Sequence, residues 1–127
     1  MAKVERFEDF QAWQRSMDFV VRVYEFSAIG KFARDFALSD QIHRAAISVP
    51  ANISEGFERG SRSEFHRFLS ISKGSCGELR THIYLAERLG YITPETAQSA
   101  LTEVTEIIQM ISKLRTTVAR QRDAQKK

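Results

Sequence analysis

Apolar side chains recur at steps of three and four residues along four successive segments of this chain, which is the spacing of amphipathic helices. The segments cover roughly residues 8–27, 35–59, 62–89 and 94–120, and the last is expected to fray beyond Arg120. No segment shows the two-residue alternation of a half-buried strand. The pattern therefore predicts an all-α protein.

Helix breakers and caps separate the four predicted helices. Gly60 ends the second helix, and Ser61 begins the capping box of the third. Gly90 ends the third helix, and Thr93 with Pro94 supplies the N-cap and first helical residue of the fourth. Because the connecting turns are short, we expect one antiparallel, up-down-up-down four-helix bundle that covers residues 1–127 as a single domain.

Three residues interrupt the helical pattern. Pro50 lies inside the second helix, but the apolar phase continues from Ile42 to Ile53, so one kinked helix is predicted rather than two. Gly74 and Gly77 lie inside the third helix, where each costs about 1 kcal/mol relative to alanine. That cost predicts a close approach by another backbone, such as a neighbouring helix.

The first predicted helix carries two apolar stripes. The stripe expected to face the core contains Phe10, Trp13, Met17, Val20, Val21 and Tyr24. The other contains Phe19, Val23 and Phe26, and Phe19 lies about 200° around the helix from Met17. A monomeric bundle has water on that side, so Phe19, Val23 and Phe26 are predicted to contact another subunit.

The net charge of +3 is concentrated at one end of the chain. Residues 1–112 hold 13 Lys/Arg and 15 Asp/Glu, a net of −2, whereas residues 113–127 hold six basic residues and one acidic residue, a net of +5. A basic tail can attract nucleic acid, or it can be a solvated helix end with its cations near the negative pole of the dipole. The residues predicted to contact RNA or DNA are Arg115, Arg120, Arg122, Lys126 and Lys127, followed by Arg59 and Arg62.

A polar stripe runs along the second predicted helix at steps of three and four. Its members are Gln41, Arg44, Ser48, Asn52, Glu55 and Arg59. Such side chains can donate to phosphates or base edges. They can equally form a partly buried hydrogen-bond network with Glu64, Ser75 and Glu78 of the third helix, which would fix the register of the packing.

Candidate catalytic and metal-ligating residues are few. A di-iron bundle needs two Glu-x-x-His pairs, and this chain has only Asp40-x-x-His43. Glu78 and His82 are four residues apart, which is the spacing of a surface contact. Cys76 falls on an apolar stripe, where free cysteine behaves as a small hydrophobic residue. We therefore expect a non-enzymatic protein with no metal and no cofactor.

The sequence also bears on the compartment. A single cysteine excludes an internal disulfide and is typical of a reducing environment. Residues 1–14 hold no apolar core of a signal peptide, and no run approaches the ~20 apolar residues of a membrane span. A cytoplasmic protein without membrane contact is expected.

Several runs of the sequence resemble one known family. They are Phe7–Gln14 (FEDFQAWQ), Gln41–Gly56 (QIHRAAISVPANISEG), Glu64-Phe65 with Phe68-Leu69, Gly74-Ser75 with Glu78-Leu79, and Leu85-Ala86 with Leu89–Ile92. Together they resemble the bacterial four-helix-bundle family linked to 23S ribosomal RNA intervening sequences, over nearly the whole chain. His43 stands where the pattern has a second basic residue, and Cys76 where it usually has an aliphatic one.

The resemblance implies a cytosolic bundle that assembles as a ring-like homopentamer. It is similar in shape to the accessory proteins of diversity-generating retroelements, which bind nucleic acid through a basic surface. We therefore expect a homo-oligomer that binds RNA or DNA by phosphate contacts. The alternative is a structural or adaptor assembly that has a protein partner and binds no nucleic acid.

Overall fold

The computed structural model describes residues 4–125, and that part of the chain contains five α-helices and no strand. The helices are α1 (Gln11–Ser27), α2 (Gly30–Arg34), α3 (Phe36–Glu58), α4 (Arg62–Arg88) and α5 (Pro94–Gln125), after a 3-10 turn at Phe7–Asp9. The four long helices confirm the all-α prediction, and α2 is a short helix inside the predicted connection. The expected fraying beyond Arg120 is wrong, because α5 stays helical to Gln125.

Each long helix packs on two neighbours, in the cyclic order α1, α3, α4, α5. At all four interfaces, residues later in one helix meet residues earlier in the other. Between α1 and α3, Phe10 contacts Phe57 and Tyr24 contacts His43; between α3 and α4, Ser48 contacts Ser75 and Phe57 contacts Phe65. Between α4 and α5, Arg62 contacts Gln121 and Ser70 contacts Arg115. Between α1 and α5, Arg15 contacts Glu106 and Arg22 contacts Ser99. All neighbouring helices are therefore antiparallel, as an up-down-up-down bundle requires.

The predicted caps account for the helix ends. The Ser61 Oγ accepts a hydrogen bond from the backbone N–H of Glu64 at 3.0 Å, which satisfies one free donor of the first turn of α4. The Thr93 Oγ1 does the same for α5 at 3.1 Å. Gly60 and Gly90 adopt φ values of +80° and +73°, a left-handed conformation that favours glycine after a helix.

The apolar stripes predicted for α3, α4 and α5 form the core. Their buried members are Leu38, Ile42, Ala45, Ala46, Val49 and Ile53 from α3, Phe65, Phe68, Leu69, Ser72, Cys76, Leu79, Ile83 and Ala86 from α4, and Ala97, Leu101, Val104, Ile111 and Val118 from α5. α3 continues through the buried Pro50, so the prediction of one helix is confirmed.

The apolar stripe of α1 that was predicted to contact another subunit faces the core of its own bundle instead. Phe19 is 1% exposed and Val23 0%, and Phe26 is half-buried against the same core. Met17 and Tyr24, which were expected to face inward, are exposed. The prediction that Phe19, Val23 and Phe26 contact another subunit is therefore wrong, because they pack inside their own chain.

A small buried residue and two ion pairs accompany this rotation of α1. Ala12 shares the buried stripe, and its small side chain lets neighbouring helices approach closely. On the side that faces α5, the Arg15 Nη2 lies 2.8 Å from a carboxylate oxygen of Glu106, and the Arg22 Nη1 lies 2.8 Å from one of Glu103. Both pairs are partly exposed, so they add little to the stabilisation that comes from burying Phe19 and Val23.

Among the glycines inside the long helices, Gly56 rather than Gly74 or Gly77 lies in close contact with a neighbouring helix. A Cβ added at Gly56 would lie 2.5 Å from the Cβ of Phe68 on α4. At Gly74 and Gly77 a Cβ would meet no atom within 4 Å among residues 4–125. The close contact predicted there is therefore not made by this part of the chain.

Candidate nucleic-acid interface

The side of the bundle between α4 and α5 collects basic and neutral polar side chains. We call it the α4–α5 surface, and its residues are Arg62, His66, Ser70, Lys73, Arg80 and Tyr84 from α4, and Gln98, Thr102, Thr105, Gln109, Arg115 and Arg122 from α5. The α4 members follow one another at steps of three, four and seven, which keeps them on one side of the helix. The row from Arg62 to Tyr84 is about 33 Å long at the helical rise of ~1.5 Å per residue.

One end of this surface is built around His66. The Arg115 Nε donates to the Ser70 Oγ at 3.1 Å, so its partner is a neutral hydroxyl. The pKa of His66 is lowered, first by partial burial and then by the positive charges of Arg115 and Arg122. His66 is therefore mostly neutral at pH 7, and the field around it favours an added anion.

The middle and far end continue the basic row. Lys73 follows His66 by seven residues, and Arg80 follows Lys73 by seven. Arg80 and Tyr84 line an open concavity of about 400 Å³ against α5. The α5 wall of the concavity is largely neutral, with Gln98, Thr102, Thr105 and Gln109. On the α4 side, Tyr84 is 47% exposed.

Acidic residues adjoin the α4–α5 surface at both ends, and on α4 Glu87 follows Arg80 by seven residues, in register with the basic row. Glu106 borders the concavity, but its carboxylate binds Arg15 on α1. Asp123 binds the neighbouring Arg122 at 3.1 Å. Along the α4 row from residue 62 to residue 84, none of the surface residues is an acid. The cations of this row are therefore available to an outside anion.

The basic residues predicted from the sequence divide between this surface and other places. Arg62, Arg115 and Arg122 meet at its His66 end, with the Arg62 Nε donating to Gln121 at 3.3 Å. Arg120 is exposed nearby on α5. Lys126 and Lys127 lie outside the described residues.

Arg59 belongs to a different environment on the α3–α4 side. Its guanidinium lies 3.6 Å from Glu55 and 3.8 Å from Glu64, and it sits 5.0 Å above the Phe68 ring. These partners compete with an outside phosphate. His66, Lys73, Arg80 and Tyr84 were not predicted from the sequence. The seven-residue spacing of the first three could have indicated that they share one side of α4.

The polar stripe of α3 forms a hydrogen-bonded centre with α4. The Ser48 and Ser75 hydroxyls are 2.7 Å apart, and the Asn52 Nδ2 donates to the Ser48 Oγ at 2.8 Å. These contacts are those that the packing interpretation expects of Ser48, Asn52 and Ser75. Gln41, Arg44 and Glu55 are exposed instead, and Arg44 pairs with Asp40 on its own helix.

Two side chains outside the α4–α5 surface that could take part in catalysis, Cys76 and Ser27, are buried. Cys76 is buried, which raises the pKa of its thiol to about 12. The Ser27 Oγ lies 2.8 Å from His43 Nε2, and Ser27 is 3% exposed at the wall of an open concavity that both residues line. Among residues 4–125, no three His, Cys, Asp or Glu side chains are grouped as a metal site would require. No helix in that range is both long and apolar enough to cross a bilayer.

A second surface is apolar and lies on the opposite side of the bundle. We call it the α1–α3 surface, and its exposed residues are Met17, Val21, Tyr24, Phe36 and Ile47. Tyr24 stacks on His43 with ring centroids 3.9 Å apart, and both border an open concavity of about 720 Å³. Phe36 stands 80% exposed at its rim.

Comparison with known proteins gives two findings. The chain matches the 23S rRNA-intervening sequence protein family over residues 8–113. It is also similar to the crystal structure of a protein of unknown function from the S23 ribosomal protein family of Bacteroides thetaiotaomicron VPI-5482, with a TM-score of 0.74 and 30% sequence identity over 82% of this chain and 97% of that chain. No curated protein matches the sequence. With most of its length matched, the chain belongs to the 23S rRNA-intervening sequence protein family.

Proposed function

We propose that this protein is a non-enzymatic, homo-oligomeric, cytoplasmic nucleic-acid-binding protein that contacts phosphates through the α4–α5 surface. The observation that carries the proposal is the row Arg62, Lys73 and Arg80, which no acid interrupts, with Arg115 beside it. Phosphate contacts of this kind supply most of the affinity of non-specific nucleic-acid binding. The family's association with an intervening sequence of 23S rRNA makes RNA the first ligand to test.

The neutral side chains on the same surface support this proposal. Thr102 and Gln109 offer donors beside the cations, and such groups make a large share of the contacts to phosphate and sugar. A surface that served only to solvate the bundle would more often alternate both signs of charge.

The test is fluorescence anisotropy with a labelled RNA hairpin across a salt series. About four phosphate contacts predict that the logarithm of the binding constant falls with the logarithm of salt concentration at a slope of about −3. The double variant Lys73→Gln/Arg80→Gln should make that slope shallower by about 1.5. Lys31→Gln/Arg34→Gln, which removes equal charge from α2, is the matched control and should leave the slope unchanged. Affinity that is independent of salt would refute phosphate-driven binding.

Self-association is the second part of the proposal, and the α1–α3 surface supports it. Its five exposed side chains present on the order of 500 Å² of largely apolar area, near the upper end of what a monomer carries. A standard protein interface buries about 800 Å² on each partner. A second copy of this chain, docked on the α1–α3 surface, would remove that area from water.

Native mass measurement tests the assembly. Wild-type protein should be larger than a monomer, and Val21→Glu should shift it toward the monomer because a buried unpaired charge is costly. Thr117→Glu, an exposed position on α5, is the control. A monomeric wild type would contradict self-association.

The exposed apolar surface also favours the alternative of an adaptor with a different protein partner. The adaptor alternative is supported if Lys73→Gln/Arg80→Gln leaves every interaction with a protein partner intact while Val21→Glu abolishes such an interaction.

A further inference from the structure

We propose that the α4–α5 surface takes a single strand of RNA or DNA and that Tyr84 is the platform on which one base stacks. This inference rests on the proposed function, since it names the class of nucleic acid that the same surface binds. It adds a residue whose contribution does not come from charge.

Tyr84 occupies the place that a stacking platform requires. It is 47% exposed inside the open concavity, beside Arg80, at the end of the basic row. Single-strand binding commonly combines a basic track for the backbone with an aromatic ring that accepts bases regardless of sequence. Here the track is the row from Arg62 to Arg80, and the ring follows it by one helical turn.

The walls of the concavity fit a base that has left its stack. Gln98, Thr102, Thr105 and Gln109 present amide and hydroxyl groups across from Tyr84. Such groups can donate to and accept from the edge of an unpaired base. A volume of about 400 Å³ admits one base with room for solvent.

A duplex fits this surface less well. Packed helix axes lie only about 8–10 Å apart, so the concavity between α4 and α5 is a narrow track. A base inside a duplex is stacked and paired, and it reaches Tyr84 only after unstacking, which costs a few kcal/mol by general estimates. The row of about 33 Å is long enough for several nucleotides of an extended strand.

The experiment compares four labelled probes in anisotropy titrations at one salt concentration. The probes are single-stranded RNA and single-stranded DNA of one mixed sequence, and the fully paired RNA and DNA duplexes of that sequence. Wild-type protein should bind both single strands more tightly than either duplex. Tyr84→Ala should weaken single-strand binding by about 5- to 100-fold, the loss typical of one stacked base, and leave duplex binding unchanged.

Two further variants keep the outcome interpretable. Tyr84→Phe retains the ring and should keep near wild-type affinity for the single strands. Leu85→Ala removes an equally exposed apolar side chain from the next position and should have no effect. Duplex binding as tight as single-strand binding, or a Tyr84→Ala protein that binds like wild type, overturns the inference. If Lys73→Gln/Arg80→Gln still weakens binding in that case, the proposed function survives; if it does not, both fail.

Discussion

Replacing Gly56 with alanine tests the packing of α3 against α4 more directly than any change in the apolar core. The added Cβ would lie 2.5 Å from the Cβ of Phe68 and 3.2 Å from the Cδ1 of Phe65. Ordinary contact begins near 3.4 Å, so the two helices must separate by about 1 Å or Phe68 must leave its position. The contact is with a Cβ, and that atom moves only with the backbone of α4.

The expected cost follows from two opposing terms. Overpacking a well-packed core costs about 1–3 kcal/mol, and replacing glycine by alanine in a helix returns up to about 1 kcal/mol. We expect Gly56→Ala to lower the free energy of unfolding by about 1–2 kcal/mol, which for a domain of this size is a fall of about 4–8 °C in Tm.

Urea unfolding at one fixed protein concentration measures this effect, because the stability of an assembly depends on concentration. Gly74→Ala and Gly77→Ala are matched controls, since nothing lies within 4 Å of either new Cβ in the described chain. Each should raise the free energy of unfolding by about 0.5–1 kcal/mol. A Gly56→Ala protein as stable as its Gly74→Ala counterpart would show that α3 and α4 are not packed as closely as described.

Three further outcomes follow from single contacts. Cys76→Ala should lower the free energy of unfolding by about 1 kcal/mol in urea, because Cys76 is buried in the core at 1% exposure and the variant loses its packing there; the native Cys76 thiol should resist maleimide at pH 8, because burial raises its pKa to about 12. Ser72→Ala should cost about 1 kcal/mol in the same assay, since the buried Ser72 Oγ donates to the Val49 carbonyl at 2.8 Å. The pKa of His66, lowered mainly by burial, should rise when phosphates bind beside it, so RNA affinity should increase as pH falls through the range in which His66 becomes protonated, and His66→Gln should remove the increase.

Most of the fold was predictable because its determinants are local. Ser61 and Thr93 cap the helices that directly follow them, and Gly60 and Gly90 adopt their left-handed conformations within the turn itself. α3, α4 and α5 each carry one dominant apolar stripe, so periodicity alone fixes which side faces inward.

The rotation of α1 was not predictable by the same means. Its longer apolar stripe, from Phe10 to Tyr24, is the one that periodicity favours for the core, yet the shorter stripe from Phe19 to Phe26 faces inward. The choice depends on how α1 packs against the other helices, and its partners there are distant in sequence: Glu103 and Glu106 of α5, which pair with Arg22 and Arg15, are 81 and 91 residues away. A sequence pattern read one helix at a time contains no information about such pairs.

Only some residues of the candidate interface could be predicted from the sequence, because the others depend on neighbours that are distant along the chain. Net charge along the chain directed attention to the basic tail, whereas binding depends on which cations lack an acidic neighbour in space. Arg59 has two acidic neighbours and Arg122 has one, while Lys73 and Arg80 belong to a segment whose net charge is negative. The row on α4 emerges only when each cation is considered together with its partners.

The arrangement of the two surfaces bears on how assembly and binding combine. In the cyclic order α1, α3, α4, α5, the α1–α3 surface and the α4–α5 surface are opposite sides of the bundle. A copy docked on the first therefore leaves the second open to solvent. If the proposed self-association holds, several α4–α5 surfaces in one assembly would act on the same strand at high effective concentration, and modest affinity at each would give tight overall binding. For that reason Val21→Glu, which changes no residue of the α4–α5 surface, should still weaken binding to a long RNA while leaving the affinity for a short RNA unchanged.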